Sequence, residues 1–339
     1  PPGARGGREG ALPAPRVGGK KLAGPGAPLS SVLPGLEGEA IANYTSGWIL
    51  SNTFQALLLI GWGMLLVGFG FKLSLVPFQL WSPDVYEGAP LPVTALIATI
   101  SKGSVFAIML RYFTQVPIND IGPIWTIFAV MAIASMLYGN ILALVQTNLK
   151  RILAYSSIAH LGYMLVAFLA SGSLVKEVIA FYLAVYFVSS LVAFGVMALL
   201  SRYDGELQEL ADYTGLFWKR RWLALLMAVA MLSLAGIPPF AGAIGKIFLA
   251  AAGVQSNLWL LLIVLVISSI IGAFYYIRIA LTVFRKRPEE EAERVVKISP
   301  VQRGEYLVMA VLFLLLVGFG LYPTPLLGTI SQLMAGLAR

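Results

Sequence analysis

Apolar residues in this chain fall into blocks that are too long for the elements of a soluble core. Within them there is no period-two alternation and no persistent polar face. The blocks run at about 49–80, 92–113, 121–144, 152–171, 178–200, 222–252, 258–284 and 304–323. A helix needs roughly 20 mainly apolar residues to cross a bilayer. In lipid the backbone must satisfy its own hydrogen bonds, which favours helices where a strand's alternation is missing. The pattern therefore predicts an all-α polytopic membrane protein of about eight transmembrane helices.

Two blocks are interrupted. The first, Trp48 to Trp81, contains Lys72 and then Pro77; the sixth, Trp222 to Ala252, contains Gly236-Ile237-Pro238-Pro239, Gly242, Gly245 and Lys246. Proline removes a donor from the helical ladder, and helices broken at membrane depth are typical of transporter sites. The pair hints at an inverted repeat, although Lys72 precedes Pro77 whereas Lys246 follows Pro239. SPDVYEGAPLP, between the first two blocks, reads as a compact acidic loop. The stretch RKRPEEEAERVVKISPVQRGE reads as a solvated linker, with a docking surface for another subunit as the alternative. Residues 1–40, rich in Gly, Pro and Arg and without an apolar run, read as disordered, not a signal peptide, and as a truncated or aberrant start.

Composition agrees with the pattern: 58% hydrophobic residues, 12% charged residues and a mean hydropathy of +0.83. The sequence has no cysteine and one histidine, so it offers no disulfide, cysteine-held iron–sulfur cluster or obvious haem or metal centre. The net charge of +8 does not indicate nucleic-acid binding, because it is carried by loops. Lys150, Arg151, Arg202, Lys219, Arg220, Arg221, Arg285, Lys286, Arg287, Arg294, Lys297 and Arg303 fall in loops after odd-numbered spans, against Arg111, Lys176 and Arg339 elsewhere. The positive-inside rule then makes the loops after spans 1, 3, 5 and 7 cytoplasmic and places the C-terminus outside.

Lys72, Lys102 and Lys246 lie within blocks that contain no Asp or Glu. A charge at mid-bilayer costs roughly 2.5–3.5 kcal/mol on insertion scales, so such residues generally face a protein interior or a water path. Lysine passes protons where burial brings its pKa toward neutrality, and a water-linked row of lysines makes a relay. The alternative is that each lysine snorkels or pairs structurally, which is hardest for Lys102, deep in its span. His160, in AYSSIAHLGYMLVAF, donates and accepts as a neutral imidazole and suits a bridge between lysines, or else simply packs. Arg278 cannot release its proton and reads as structural. Asn140 and the serines within the spans read as helix-packing glue. A buried lysine row requires a counter-charge, so a carboxylate is expected from another part of the protein or from a neighbouring subunit.

FGFKLSLVPFQLWSPDVYEGAPLPVTALIATISK, NLKRILAYSSIAHLGYMLVAF and LSLAGIPPFAGAIGKIFL resemble the subunit N family of proton-translocating NADH-quinone oxidoreductase, respiratory complex I, whose mitochondrial counterpart is subunit 2. The resemblance runs from about Trp48 to the C-terminus. It implies an antiporter-like inverted-repeat architecture in which residues 48–113 are the remainder of a first, incomplete repeat and 121–284 a complete second one. Residues 285–303 are then a charged cytoplasmic linker and 304–339 the C-terminal helix. It also implies that Lys72 is the central lysine of one broken helix, Lys102 a connecting lysine and Lys246 the lysine facing the exit channel, with His160 on the hydrated axis. The family's intramembrane glutamate has no match, since Glu9, Glu37 and Glu39 fall in the disordered stretch.

The function the resemblance implies is a membrane-arm subunit, in the cell (inner) membrane, that carries protons through Lys72, Lys102, His160 and Lys246 while quinone is reduced elsewhere. The resemblance implies that NADH, FMN, iron–sulfur clusters and quinone are held by other subunits and none by this chain, in which no Gly-rich nucleotide loop follows a strand. The expected partners are the other membrane subunits of complex I and the lipid bilayer, without nucleic acid. The rivals are a subunit of a multisubunit Na+/H+ antiporter and a non-pumping structural fragment.

Overall fold

The computed structural model describes residues 16–17, 20–21, 57, 60–115, 122–172, 175–201, 206–286 and 303–337. Two units divide the chain at Met64 and Leu65. In the first, the described residues include a two-residue antiparallel ladder, β1 (Arg16–Val17) and β2 (Lys20–Lys21), with Arg16 opposite Lys21. Apart from this ladder, the stretch read as disordered lies outside the described residues.

The second unit begins within α1 (Ile60–Leu73). It continues through α2 (Trp81–Gly88), α3 (Leu91–Leu96), one π-helical turn (Ile97–Ser101) and α4 (Lys102–Gln115). Then come α5 (Gly122–Leu144), α6 (Leu149–Phe168) and α7 (Val175–Leu200). A 3-10 turn (Leu210–Tyr213) and α8 (Leu216–Lys219) precede α9 (Arg221–Ala235), α10 (Ala241–Gln255) and α11 (Trp259–Phe284). The last elements are α12 (Arg303–Leu321) and α13 (Thr324–Leu337).

Among the described residues, six segments are long and apolar enough to cross a membrane: Leu91–Phe113, α5, α6, α7, α11 and Gly304–Leu321. They match six of the expected blocks. The block at 222–252 is two short helices, α9 and α10, broken where the Gly-Ile-Pro-Pro sequence predicts. Described from Ile60 onward, the first block ends its helix at Leu73, just after Lys72 and ahead of Pro77.

Two features differ from the sequence reading. SPDVYEGAPLP is not all loop, because Trp81–Gly88 is helical. Pro83 sits in the first turn, where its missing N–H costs nothing, and the helix ends at Ala89, which Pro90 holds extended (ψ 147°). The C-terminal region is two helices and not one, since Pro323 separates α12 from the amphipathic α13. The linker at 285–303, apart from Arg285, Lys286 and Arg303, lies outside the described residues.

The core is built around α6, which is buried along nearly its whole length. Asn148 starts it by accepting from the amides of Lys150 (2.9 Å) and Arg151 (3.2 Å), an N-cap that satisfies two of the helix's orphan donors. α5 crosses it at backbone contact: a Cβ on Gly139 would meet the Tyr155 carbonyl at 2.6 Å, and one on Gly162 the Met136 amide at 2.9 Å. Small residues at such crossings let helices pack without a hydrophobic driving force. α7, α10 and α11 also pack against α6. The outer faces of α5, α11 and α12 expose Val130, Leu260, Phe274, Leu307 and Leu314. Helices apolar all round, with the outside as greasy as the inside, suit lipid or a neighbouring membrane protein and not water.

Candidate functional site

Lys246 owes its position to the break between α9 and α10. Gly236 ends α9 in the left-handed region (φ +82°), its amide bonding Ser233 O at 2.9 Å while Ile237 N bonds Leu232 O at 3.0 Å, a Schellman closure. The break leaves the Ala235 carbonyl outside the ladder at membrane depth. Lys246 Nζ donates to it at 2.7 Å and to Ser269 Oγ at 2.8 Å, and lies 5.3 Å from the Tyr163 ring centre. A broken helix thus presents a carbonyl to a cation, which is how discontinuous helices hold ions.

His160, on α6, is buried and hydrogen-bonded through both ring nitrogens: Nδ1 lies 2.7 Å from the Tyr182 hydroxyl and Nε2 2.9 Å from that of Tyr276. A neutral imidazole has one donor and one acceptor, so one tyrosine donates to the ring and the other accepts from it. Exchanging those roles changes the tautomer without moving heavy atoms. Tyr163 and Tyr186 complete the cage, with ring centres 5.5 and 5.2 Å from that of His160. Between His160 and Lys246 is a cavity of about 10 Å³, lined also by Tyr182, Tyr186, Ser189 and Ser233. That is the space of one water molecule, with the polar partners a water needs.

Lys102 stands where the π-helical turn gives way to α4. π-turns recur at functional sites because they displace a helix face. Its side chain is buried, donates from Nζ to Ser157 Oγ at 2.8 Å and lies over the Tyr86 ring at 5.4 Å. The Ser157 hydroxyl in turn donates to the Ala154 carbonyl at 2.8 Å. Lys72, at the end of α1, is exposed and near enough to Lys102 to act on it electrostatically. Ser157 lies one turn before His160 on α6, and Tyr186 lines the cavity that His160 and Lys246 share.

The three lysines and the histidine do not form one contact cluster. Lys102 and Lys246 meet α6 at different residues, Ser157 and Tyr163, and His160 lies between those two along the helix. Arg278, read as structural, donates to the carbonyls of Leu144 (3.2 Å) and Gln146 (3.4 Å) at the end of α5. Asn140, read as helix-packing glue, bonds across helices: it donates to Tyr163 (2.8 Å) and accepts from Tyr275 (3.0 Å). The sequence reading misses the tyrosines. A signal is present, since Tyr163, Tyr182, Tyr186, Tyr275 and Tyr276 lie inside apolar spans and not at the interfacial ends where tyrosine usually collects. Among the described residues no group of His, Cys, Asp and Glu could hold a metal ion.

Residues 36–272 match the family described as NADH:quinone oxidoreductase/Mrp antiporter, TM. NADH-quinone oxidoreductase subunit N of Ectopseudomonas mendocina (strain ymp) is 49% identical over 283 residues, which cover 83% of this chain and 57% of that protein. Among solved structures, respiratory complex I from Thermus thermophilus with bound aureothin contains a chain matching at 36% identity and a TM-score of 0.68, over 79% of this chain and 58% of that one. The Mrp complex from Dietzia sp. DQ12-45-1b matches at 19% identity and a TM-score of 0.70, over 79% of this chain and 57% of that one, a likeness of fold alone. The chain spans a little over half the length of the relatives it matches. With broken helices, lysines set within apolar segments and a match over most of its length, this multi-pass membrane chain belongs to the NADH:quinone oxidoreductase/Mrp antiporter transmembrane family.

Proposed function

We propose that this chain is part of a membrane-arm subunit of an NADH-quinone oxidoreductase, and that it carries protons across the membrane when quinone is reduced in other subunits. The observation that carries this reading is the bond pattern at His160: both ring nitrogens engaged by tyrosines, with a water-sized cavity between the ring and Lys246. A proton arriving at one nitrogen of such a ring leaves by the other, so the ring passes charge without rotating. Lys102, bonded to Ser157 one turn before His160 on the same helix, supplies one side. Lys246, poised between the Ala235 carbonyl and Ser269, takes up the other.

Lys72 begins the row. Its exposure fits a site completed by a carboxylate from the rest of the protein or from an adjacent subunit, as the family resemblance implies, and charge changes at that acid would drive the lysines in turn. The partners in this reading are the other membrane subunits of the complex and the bilayer. NADH, FMN, iron–sulfur clusters and quinone are held in those other subunits. The basic loops after spans 1, 3, 5 and 7 face the cytoplasm and the C-terminus faces outward. The identity of 49% to a subunit N, against 19% to the Mrp chain, favours this reading over a Na+/H+ antiporter subunit.

The test is purification of the tagged chain from its native membrane in mild detergent. Co-purification of an assembly that reduces quinone with NADH is the expected result. Isolation with antiporter-type subunits, or alone, would overturn the reading.

A further inference from the structure

One cluster of charges plays no part in the path described above. Lys150, in the first turn of α6, has a wholly buried side chain whose Nζ donates to the carbonyls of Glu87 (3.2 Å) and Ala89 (2.7 Å), at the end of α2, and pairs with Glu206. The other oxygen of Glu206 accepts from the Leu91 amide at 2.9 Å, the first residue of α3. Around this pair, Arg151 reaches Asp84 (2.9 Å) and Glu87 (2.6 Å), and Asn148 reaches Glu87 (3.1 Å) and Gln208 (3.0 Å). One ion pair thus holds both sides of the α2–α3 corner: the lysine takes the carbonyl end of one helix and the glutamate the amide end of the next. Each charge opposes the helix-dipole end it touches.

The corner leads directly to the site. α3 runs through the π-helical turn into Lys102, whose ammonium must meet Ser157, about two turns beyond Lys150 on the same α6. Lys150 and Lys102 therefore anchor the two ends of one segment, residues 89–102, to one helix. We propose that Lys150 and Glu206 are positioning residues for Lys102: their pair sets the seat of α3, and so the approach of the Lys102 ammonium to Ser157 and the Tyr86 ring. This rests on the relay reading for its consequence, but not for its geometry.

The experiment uses the full-length subunit in its native membrane assembly. Two variants are compared: Glu206→Gln, which keeps an acceptor for Leu91, and the double variant Lys150→Met/Glu206→Leu, which removes both pins without stranding a charge. The expected result for the double variant is an assembled complex whose NADH-driven proton transfer is slowed about ten- to a hundredfold, as for a misplaced reacting group, and whose rate–pH profile is displaced. Lys150→Arg should restore the profile in the Lys150 position. A reporter independent of pumping is Ala98→Cys, a buried site on the π-turn, labelled with a small maleimide against the parent assembly as background for thiols elsewhere. The introduced thiol should stay protected with Lys150 and Glu206 present and react faster in the double variant. A wild-type profile with a thiol that stays protected in the double variant overturns the proposal, as does loss of both variants from the membrane, which would make the pair a plain structural staple. If Lys102→Ala alone leaves proton transfer unchanged, the relay reading fails, while the labelling still reports whether the pair seats α3.

Discussion

His160 and Lys246 stand on different helices and line one cavity with room for about a single water molecule. The ring is held through Nε2 by Tyr276, and the lysine is held by a carbonyl that the α9–α10 break left over. Lys246→Ala in the complete assembly should remove the ammonium and lower coupled proton transfer by about 10²-fold or more, the scale of losing a positioned proton carrier. NADH oxidation with a soluble acceptor should be unaffected. Parallel measurement of proton uptake by inverted vesicles and of acceptor reduction checks it, and unimpaired uptake would favour the non-pumping structural role.

His160→Phe keeps much of the ring's volume but strips the partners from Tyr182 and Tyr276. Each buried hydroxyl left unpaired costs about 1–3 kcal/mol. The expected outcome is a lower thermal midpoint for the assembled complex together with loss of proton transfer. Retention of full stability would mean that the tyrosines find other partners and that the clamp is not what orders the cage.

Gly236→Ala places a Cβ at φ +82°, where it meets Lys246 Cδ at 2.6 Å. The left-handed conformation alone costs about 1–2 kcal/mol for a residue with a Cβ, and the contact pushes on the very side chain that caps Ala235. Stability and proton transfer should fall together. Gly122→Ala, whose Cβ would meet nothing within 4 Å, is the matched control and should behave as the parent chain.

Asn148→Ala removes the cap of α6 and the bridge from Glu87 to Gln208. The cap by itself is worth about 0.5–2 kcal/mol. Asn148→Asp should recover part of that loss, because its carboxylate still caps the helix but now faces Glu87 with like charge. Denaturation midpoints ranked parent, Asp, Ala would confirm the order; Ala equal to parent would show that the ion pairs at the α2–α6 corner suffice.

Periodicity and length are enough to read six of the spans, and the proline-rich interruption at 236–239 foretells the α9–α10 break, because in lipid the backbone has few ways to satisfy its own hydrogen bonds. Lys102 and His160 are legible too, as polar groups too deep to reach water from their own helix. Helix α2 is not: a short segment with Ser, Pro, Asp, Glu and Gly carries loop chemistry, and it is helical because Lys150, Arg151 and Asn148 of the α6 start bind its carbonyl end and acidic side chains. Nor can the tyrosine cage be read, since Tyr182 and Tyr276 meet His160 from 22 and 116 positions away. Sequence alone determined where the chain can cross a membrane and which residues cannot rest in lipid. Which hydroxyl answers which ammonium, carbonyl or imidazole was decided only when the helices packed, because a polar group buried at membrane depth must find its partner on whichever neighbour the crossing brings within about 3 Å.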